Sequence, residues 1–373
     1  MSVRNFLSAL PYWISLLLLP CVWLAATQGG AFLLLLPIGA SIAAIVADAL
    51  VGRDTSNADP ATPTADLFWH RMVTIAWVPI QAVLLFGTIF YVSHRGDLGT
   101  FEIGALAVGL GFVCGAIGIV YAHELMHQKN RFERWLGDIL MCMTLYGHFR
   151  TEHLLVHHRY VGTPRDAVTA RYNEGYYRFF PRVLKESFVS AFRAEKALLA
   201  RRNYPWWHSS NPFWRYATLE VGMIALAVGL GGWTGLWMFL ISSFVAVAYL
   251  EAVNYVEHYG LTRKHLGDGK YEHVRPHHSW NSDQRVSNWL LINLQRHSDH
   301  HYNPDRRYPL LQTYAENEAP LLPSGYPVIV VAAFIPSLWR RIMNPRVRKW
   351  RAMYYPEIID WEPYKRGTNP LPR

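Results

Sequence analysis

Eight of the seventeen histidines in this 373-residue chain fall into three tight groups. His123 and His127 form H-x3-H; His153, His157 and His158 form H-x3-H-H; His297, His300 and His301 form H-x2-H-H. On a helix, positions i and i+4 share a face, so His123 and His127 can reach one metal ion. The two rings of a doublet point about 100° apart on a helix, so a doublet can serve two adjacent ions. Imidazole suits iron, zinc, copper and nickel alike, so ligand type does not choose the metal. Ligand number does, because eight histidines exceed the four positions of one zinc. Two irons, with about five or six positions each and some left open for O2, use eight or nine nitrogens naturally. A lone H-x3-H is more often structural, and the weight here lies in three groups together. His258, at the end of the last apolar run, is a ninth candidate. Glu124, Glu152, Glu257 and Asp299 accompany the groups. Such carboxylates commonly accept the second N–H of a metal-bound imidazole. Capping, or pairing with Arg150 and Arg296, is an equal alternative for any one of them.

The histidines need elements to carry them, and the apolar runs supply these. Residues 33–51, 75–92, 103–122 and 221–250 are almost free of charge. A bilayer core about 30 Å thick takes roughly 20 helical residues to cross. Six spans are expected, at about 11–27, 30–51, 69–93, 101–122, 214–232 and 235–257. Short connections lie on one side. The N-terminus, the 52–68 loop, residues 123–213 and the C-terminal third lie on the other, with nearly every Arg and Lys. The positive-inside rule puts that side in the cytoplasm, and both termini with it. The expected fold is one all-α membrane domain over 1–373: six transmembrane helices under a cytoplasmic, histidine-rich di-iron cap built from 123–213 and 258–373.

The net charge of +9 therefore reads as topology and lipid-headgroup contact rather than nucleic-acid binding. The first apolar stretch lacks a convincing cleavage site and reads as a retained span. Cys21, Cys114 and Cys142 sit in apolar contexts with no CxxC pair, which argues against disulfides and a thiolate metal site. Residues 326–339 are too short to cross and hold two prolines, so they are expected at the interface. Gly104, Gly109, Gly111, Gly115 and Gly118 are expected to let helices pack closely rather than to form a channel.

These motifs resemble the integral-membrane alkane 1-monooxygenases, within the membrane fatty acid desaturase and hydroxylase superfamily. Leu294-Gln-Arg-His-Ser-Asp-His-His301 is similar to that family's longest signature, continued by Asn303-Pro304 and Arg306-Arg307-Tyr308. Asn254 to Leu261 looks like its H-Y-G motif, and His123 to His127 and Glu152 to His158 match two further boxes. His278-Ser-Trp-Asn-Ser282 also looks familial, which adds His278 as a residue supporting the ligands. The resemblance runs from about residue 45 to 315. It implies nine ligands on two irons: His123, His127, His153, His157, His158, His258, His297, His300 and His301. It also implies O2-dependent terminal hydroxylation of n-alkanes or similar hydrophobic chains to 1-alcohols, a rubredoxin-type electron donor and a bacterial inner membrane. No catalytic side chain beyond the ligands is expected. The sequence departs from the pattern at Gln128, Val156, Arg165, Ala167 and His277, none of them a ligand.

A terminal C–H bond offers no polar handle, so the metal centre must carry the chemistry while the protein positions the chain. The substrate is expected to enter laterally from lipid. No dinucleotide fingerprint or cysteine cluster is evident, so electrons must come from a separate carrier. Two other readings remain open. A fatty-acyl desaturase or xylene-type methyl hydroxylase uses similar histidine boxes. A metal transporter would place its ligands near the bilayer midplane, not beyond the span ends.

Overall fold

The computed structural model describes residues 3–361; both chain termini, expected on the cytoplasmic side, lie outside the described residues. The elements are helical apart from a two-stranded hairpin, β1 (His265–Gly267) and β2 (Lys270–Tyr271). Four helices are long and apolar enough to cross a membrane: α1 (Val3–Gln28), α3 (Thr64–Ser93), α4 (Thr100–His127) and α8 (Pro212–His258). The shorter α2 (Ile38–Val51) completes the apolar set. The remaining helices are α5 (Arg131–Cys142), α6 (149–160), α7 (Tyr176–Ala200), α9 (Arg285–Leu290), α10 (His297–Tyr302), the apolar α11 (Tyr326–Ala333) and α12 (Pro336–Tyr354).

Three of the expected spans take another form. Residues 30–51 are not one helix. Gly30–Leu35 make a 3-10 turn, Pro37 interrupts, and α2 has 14 residues. At 1.5 Å per residue α2 is about 21 Å long, short of the bilayer core. The expected spans 214–232 and 235–257 fall within α8, whose 47 residues would reach about 70 Å if straight. They do not run straight. Gly232 leaves helical geometry at φ 56°, ψ −138°, and Gly235 packs on the carbonyl of Ala227, so the chain turns back on itself. The start of this element is specified locally. Asn211 caps the start by accepting the Phe213 N–H at 3.1 Å, with Pro212 in the first turn. α11 and α12 meet at 118°, the geometry of a broken span or a re-entrant elbow.

The core joins α4 to the second half of α8. An added Cβ at Gly111 would lie 2.6 Å from the Ser242 carbonyl, and one at Gly115 2.8 Å from that of Ala246. Glycine thus brings the two backbones into contact, and the Ser242 hydroxyl donates to the Ala107 carbonyl at 2.9 Å. This contact matters beyond stability, because α4 ends in His123 and His127 and α8 ends in His258. On α2, buried Asp48 accepts the N–H groups of Val286 and Ser287, both at 2.9 Å, and so fixes α9 below the apolar helices.

Gly111→Ala is expected to cost about 1–3 kcal/mol through overpacking. Gly104→Ala, where nothing lies within 4 Å of the new Cβ, is expected to be near neutral. Melting temperatures of the two variants in lipid nanodiscs test this; equal losses would refute the contact.

Candidate metal centre

Nine histidine rings meet where α4 and α8 end. They form two groups, within each of which the ligand atoms lie within 4.8 Å of one another. The first group holds His123, His127, His153, His158 and His300; the second holds His157, His258, His297 and His301. Each doublet divides between the groups, and His123 and His127 stay together, as i, i+4 geometry requires.

The division of His157 and His158 depends on a π-turn. The His158 N–H bonds to the His153 carbonyl, an i→i+5 step inside α6. In an α-helix residue 157 would stand over residue 153. Here residue 158 does, so His153 and His158 share a group and His157 faces the other. A further π-turn, Cys114–Ile119, precedes the first ligand pair in α4.

The rings are crowded in a way that hydrogen bonding cannot satisfy. Nε2 of His153 lies 2.9 Å from that of His123, 3.0 Å from that of His127 and 2.9 Å from that of His158. His158 in turn lies 3.0 Å from His300. In the second group, His297 lies 3.1 Å from His258 and 3.0 Å from His301. A neutral imidazole offers one donor or one acceptor at each nitrogen, so His153 can hydrogen-bond to at most one of its three neighbours. A cation among them resolves the conflict. Nitrogens about 2.1 Å from one ion stand roughly 3.0 Å apart at right angles and roughly 3.4 Å apart in a tetrahedron. The observed separations of 2.9–3.1 Å fit right-angled, five- or six-coordinate geometry.

Protonation fits as well. Burial pushes the pKa of His153, His158, His297, His300 and His301 well below the ordinary imidazole value, and neighbouring rings add to this. The neutral form that results is the one that ligates. Nε2 of His157 is buried without a hydrogen-bond partner, while its Nδ1 lies 3.0 Å from Asp166 Oδ2. Thr169 holds the same carboxylate oxygen at 2.6 Å. Asp166 therefore fixes the tautomer that leaves Nε2 free.

The carboxylates read from sequence are used differently. Glu257 lies 3.3 Å from Nδ1 of His297 without forming a hydrogen bond to it, and the Tyr326 hydroxyl donates to Glu257 at 2.7 Å. The other three do not contact the histidines. Glu124 accepts from Gln128 at 2.8 Å, because its i+4 neighbour is closer than any ring. Glu152 is fully buried with neither oxygen bonded, and burial, with Asp166 and Glu251 nearby, raises its pKa well above the ordinary value. Asp299 accepts from Arg306, Asn303, Tyr314 and the Gln312 N–H, which ties down the chain after α10. Arg150 pairs with Asp138 at 2.7 Å rather than with Glu152. His278 lies in a separate cluster with Glu272 and His277. Asp166 and Tyr326 were missed. Asp166 lies in the familial Thr163–Ala167 stretch, nine residues after His157, but nothing local marks it as a partner.

A narrow apolar cavity reaches both groups. Gly115, Ile119 and Val120 of α4, Leu250, Val253, Asn254 and Glu257 of α8, and Phe149 and Leu294 line its volume of about 20 Å³ together with His123, His153 and His297. On the other side an open, polar cleft at His127 is bordered by Arg71, Lys129, Arg306 and Arg307.

Residues 100–332 match the model of the fatty acid desaturase family. The chain is 40% identical over 319 residues to alkane 1-monooxygenase 1 of Pseudomonas aeruginosa, covering 82% of this chain and 80% of that one. It is 37% identical to an alkane 1-monooxygenase of Ectopseudomonas oleovorans, covering 88% of this chain and 82% of the relative. Identity to the hydroxylase component of a xylene/toluene monooxygenase from Pseudomonas putida is lower, 27%, over 84% and 82% of the two chains.

Asp166→Asn is expected to weaken metal binding by about 10–100-fold, the usual effect of losing a ligand's supporting hydrogen bond. Glu124→Gln is expected to leave it unchanged. Chelator competition measures both, and the reverse order would overturn the assignment.

Proposed function

The chain belongs to the alkane 1-monooxygenase family, and on that footing we propose that it hydroxylates the terminal carbon of n-alkanes or similar hydrophobic chains, with O2, at two irons held by its nine clustered histidines. The observation that carries this reading is the convergence of nine imidazole nitrogens, in two adjoining groups, on the end of an apolar cavity. A bound iron pair supplies the activation of O2 that breaking an unactivated C–H bond demands.

The chain's own part is binding, orientation and exclusion of water. Neutral, buried imidazoles hold the metals without protonic competition. Asp166 holds His157, and Tyr326 holds Glu257 beside His297. A hydrocarbon would have to widen this small cavity, whose walls are apolar apart from Asn254 and Glu257 of α8, so chain shape more than polarity must orient the terminal carbon. The substrate enters this cavity from lipid.

The proposed topology has six passes, counting α2 with the 3-10 turn before it and the two halves of α8 separately. The excess of Arg and Lys around the metal centre supports a cytoplasmic position for that face, and the bacterial sources of the relatives support an inner membrane. A rubredoxin-type carrier delivers electrons there. Its docking place is the cleft at His127, where the basic border of Arg71, Lys129, Arg306 and Arg307 would attract an acidic partner.

Whole cells supplied with octane, dodecane, xylene and a fatty acid test the reading. The expected product is the 1-alcohol of each alkane, and His300→Ala is expected to abolish it while the protein still reaches the membrane. An alkene or a benzylic alcohol as main product, or wild-type yield from His300→Ala, would reject the proposal.

A further inference from the structure

The small cavity against the metal centre is not wholly apolar, and two of its polar groups come from one turn of α8. Asn254 and Glu257 line it beside His123 and His153 of the first histidine group and His297 of the second. Both are buried, at 4% and 1% exposure. Asn254 is held from behind. Its Nδ2 donates to Oε2 of Glu251 at 3.1 Å, one turn back along α8, and Oε1 of Glu251 accepts from the Tyr146 hydroxyl at 2.8 Å. Tyr146 stacks on Phe149, which lines the same cavity and stacks in turn on His153. The amide is thus turned with its nitrogen toward Glu251 and its oxygen away. Oδ1 of Asn254 accepts no hydrogen bond from the chain, yet packing does not seal it off as it seals both oxygens of Glu152. The cavity is the space it faces.

A buried acceptor costs free energy until a donor reaches it. A saturated hydrocarbon has no donor to offer, whereas its terminal alcohol has one. The cavity volume of about 20 Å³ is room for a single water-sized group, which is the size of a hydroxyl. We propose that Asn254 recognises the primary alcohol formed from the hydrocarbon, its Oδ1 accepting the alcohol's O–H while the alkyl chain parts the apolar walls along Gly115, Ile119 and Leu250. This inference rests on the hydroxylase reading above and adds to it a residue that tells product from substrate.

Two consequences follow from the geometry. A bound hydrocarbon leaves Oδ1 unpaired and the alcohol does not, so the alcohol binds more tightly than the chain it came from, and its departure requires this hydrogen bond to break. The space admits one group only. A primary alcohol can insert its hydroxyl at the chain end, but a secondary alcohol carries a carbon on each side of its hydroxyl and cannot. Recognition by Asn254 therefore favours the terminal position. The anchoring by Glu251 and Tyr146 keeps the amide from turning to follow a misplaced hydroxyl.

The test measures binding without turnover. Full-length, iron-loaded enzyme in nanodiscs, given no electron donor, is equilibrated with 1-dodecanol, 2-dodecanol or 1-fluorododecane, and uptake by empty nanodiscs is subtracted. Fluorine is close to a hydroxyl in size but donates no hydrogen bond. The wild-type chain is expected to hold 1-dodecanol about tenfold more tightly than 1-fluorododecane. Asn254→Leu is expected to bring the two within about twofold, with iron content and affinity for 1-fluorododecane unchanged. An equal preference in wild type and variant, or none in wild type, overturns the proposal. Should Asn254→Leu lose iron, the wild-type chain decides alone: it must bind 1-dodecanol more tightly than both other compounds, and a match by either overturns the proposal. Failure of the hydroxylase reading itself shows elsewhere, as the absence of 1-alcohol from whole cells supplied with alkane.

Discussion

Nine buried imidazoles crowded together, several with ring nitrogens about 3 Å apart, form an arrangement that the protein alone does not favour. Each buried nitrogen has given up water, and three neighbours at about 3 Å cannot all repay it with hydrogen bonds. The fold must hold this cluster together against that cost. The pairs and networks around it serve that end. Arg71 and Arg307 both pair with Glu133, at 2.6 and 2.9 Å, which ties α3 and the chain after α10 to α5. Asp299 gathers the chain after α10, and Asp48 anchors α9. None of these groups touches a ligand nitrogen, yet each limits how far the rings can move apart.

The apolar helices set the level at which the ligands meet. α4 and α8 deliver three of the nine rings from their last turns, so a slip of either along the other would shear the centre. Glycine at 111 and 115 prevents the slip by letting backbone meet backbone, a contact with a sharper distance limit than one between flexible side chains. The same close contact shapes the walls of the cavity above the metals. Gly115 lies both at the helix contact and in the cavity lining, so packing and substrate space share one residue.

Much of this was legible in the sequence. Histidine spacing, the apolar runs and the placing of His258 at a helix end rest on local periodicity, which one chain displays plainly. The assignment of rings to groups was not legible, because α-helical geometry would seat His157 over His153 and the π-turn seats His158 there. The partners of the ligands were hidden for another reason. Glu124 and Asp299 are near the histidines in sequence but turn to other groups, and Glu152 hydrogen-bonds to none, whereas Asp166 and Tyr326 arrive by tertiary folding. The break in the 30–51 run had a visible cause in Pro37. The turn at Gly232 had one in Gly231-Gly232, where the short connection was expected.

The extra residue in α6 has one more consequence. The segment 153–158 has H-x3-H-H spacing and the segment 297–301 has H-x2-H-H, so they differ by one residue. The π-turn absorbs that residue. In both segments the leading histidine then shares a group with the last one, and the middle histidine crosses to the other group. His153 and His158 serve the first group while His157 serves the second; His297 and His301 serve the second while His300 serves the first. The two segments are thus related by a local exchange symmetry that their spacing conceals. Each segment puts two rings in one group and the third in the other, so a shift of either segment moves rings of both groups at once.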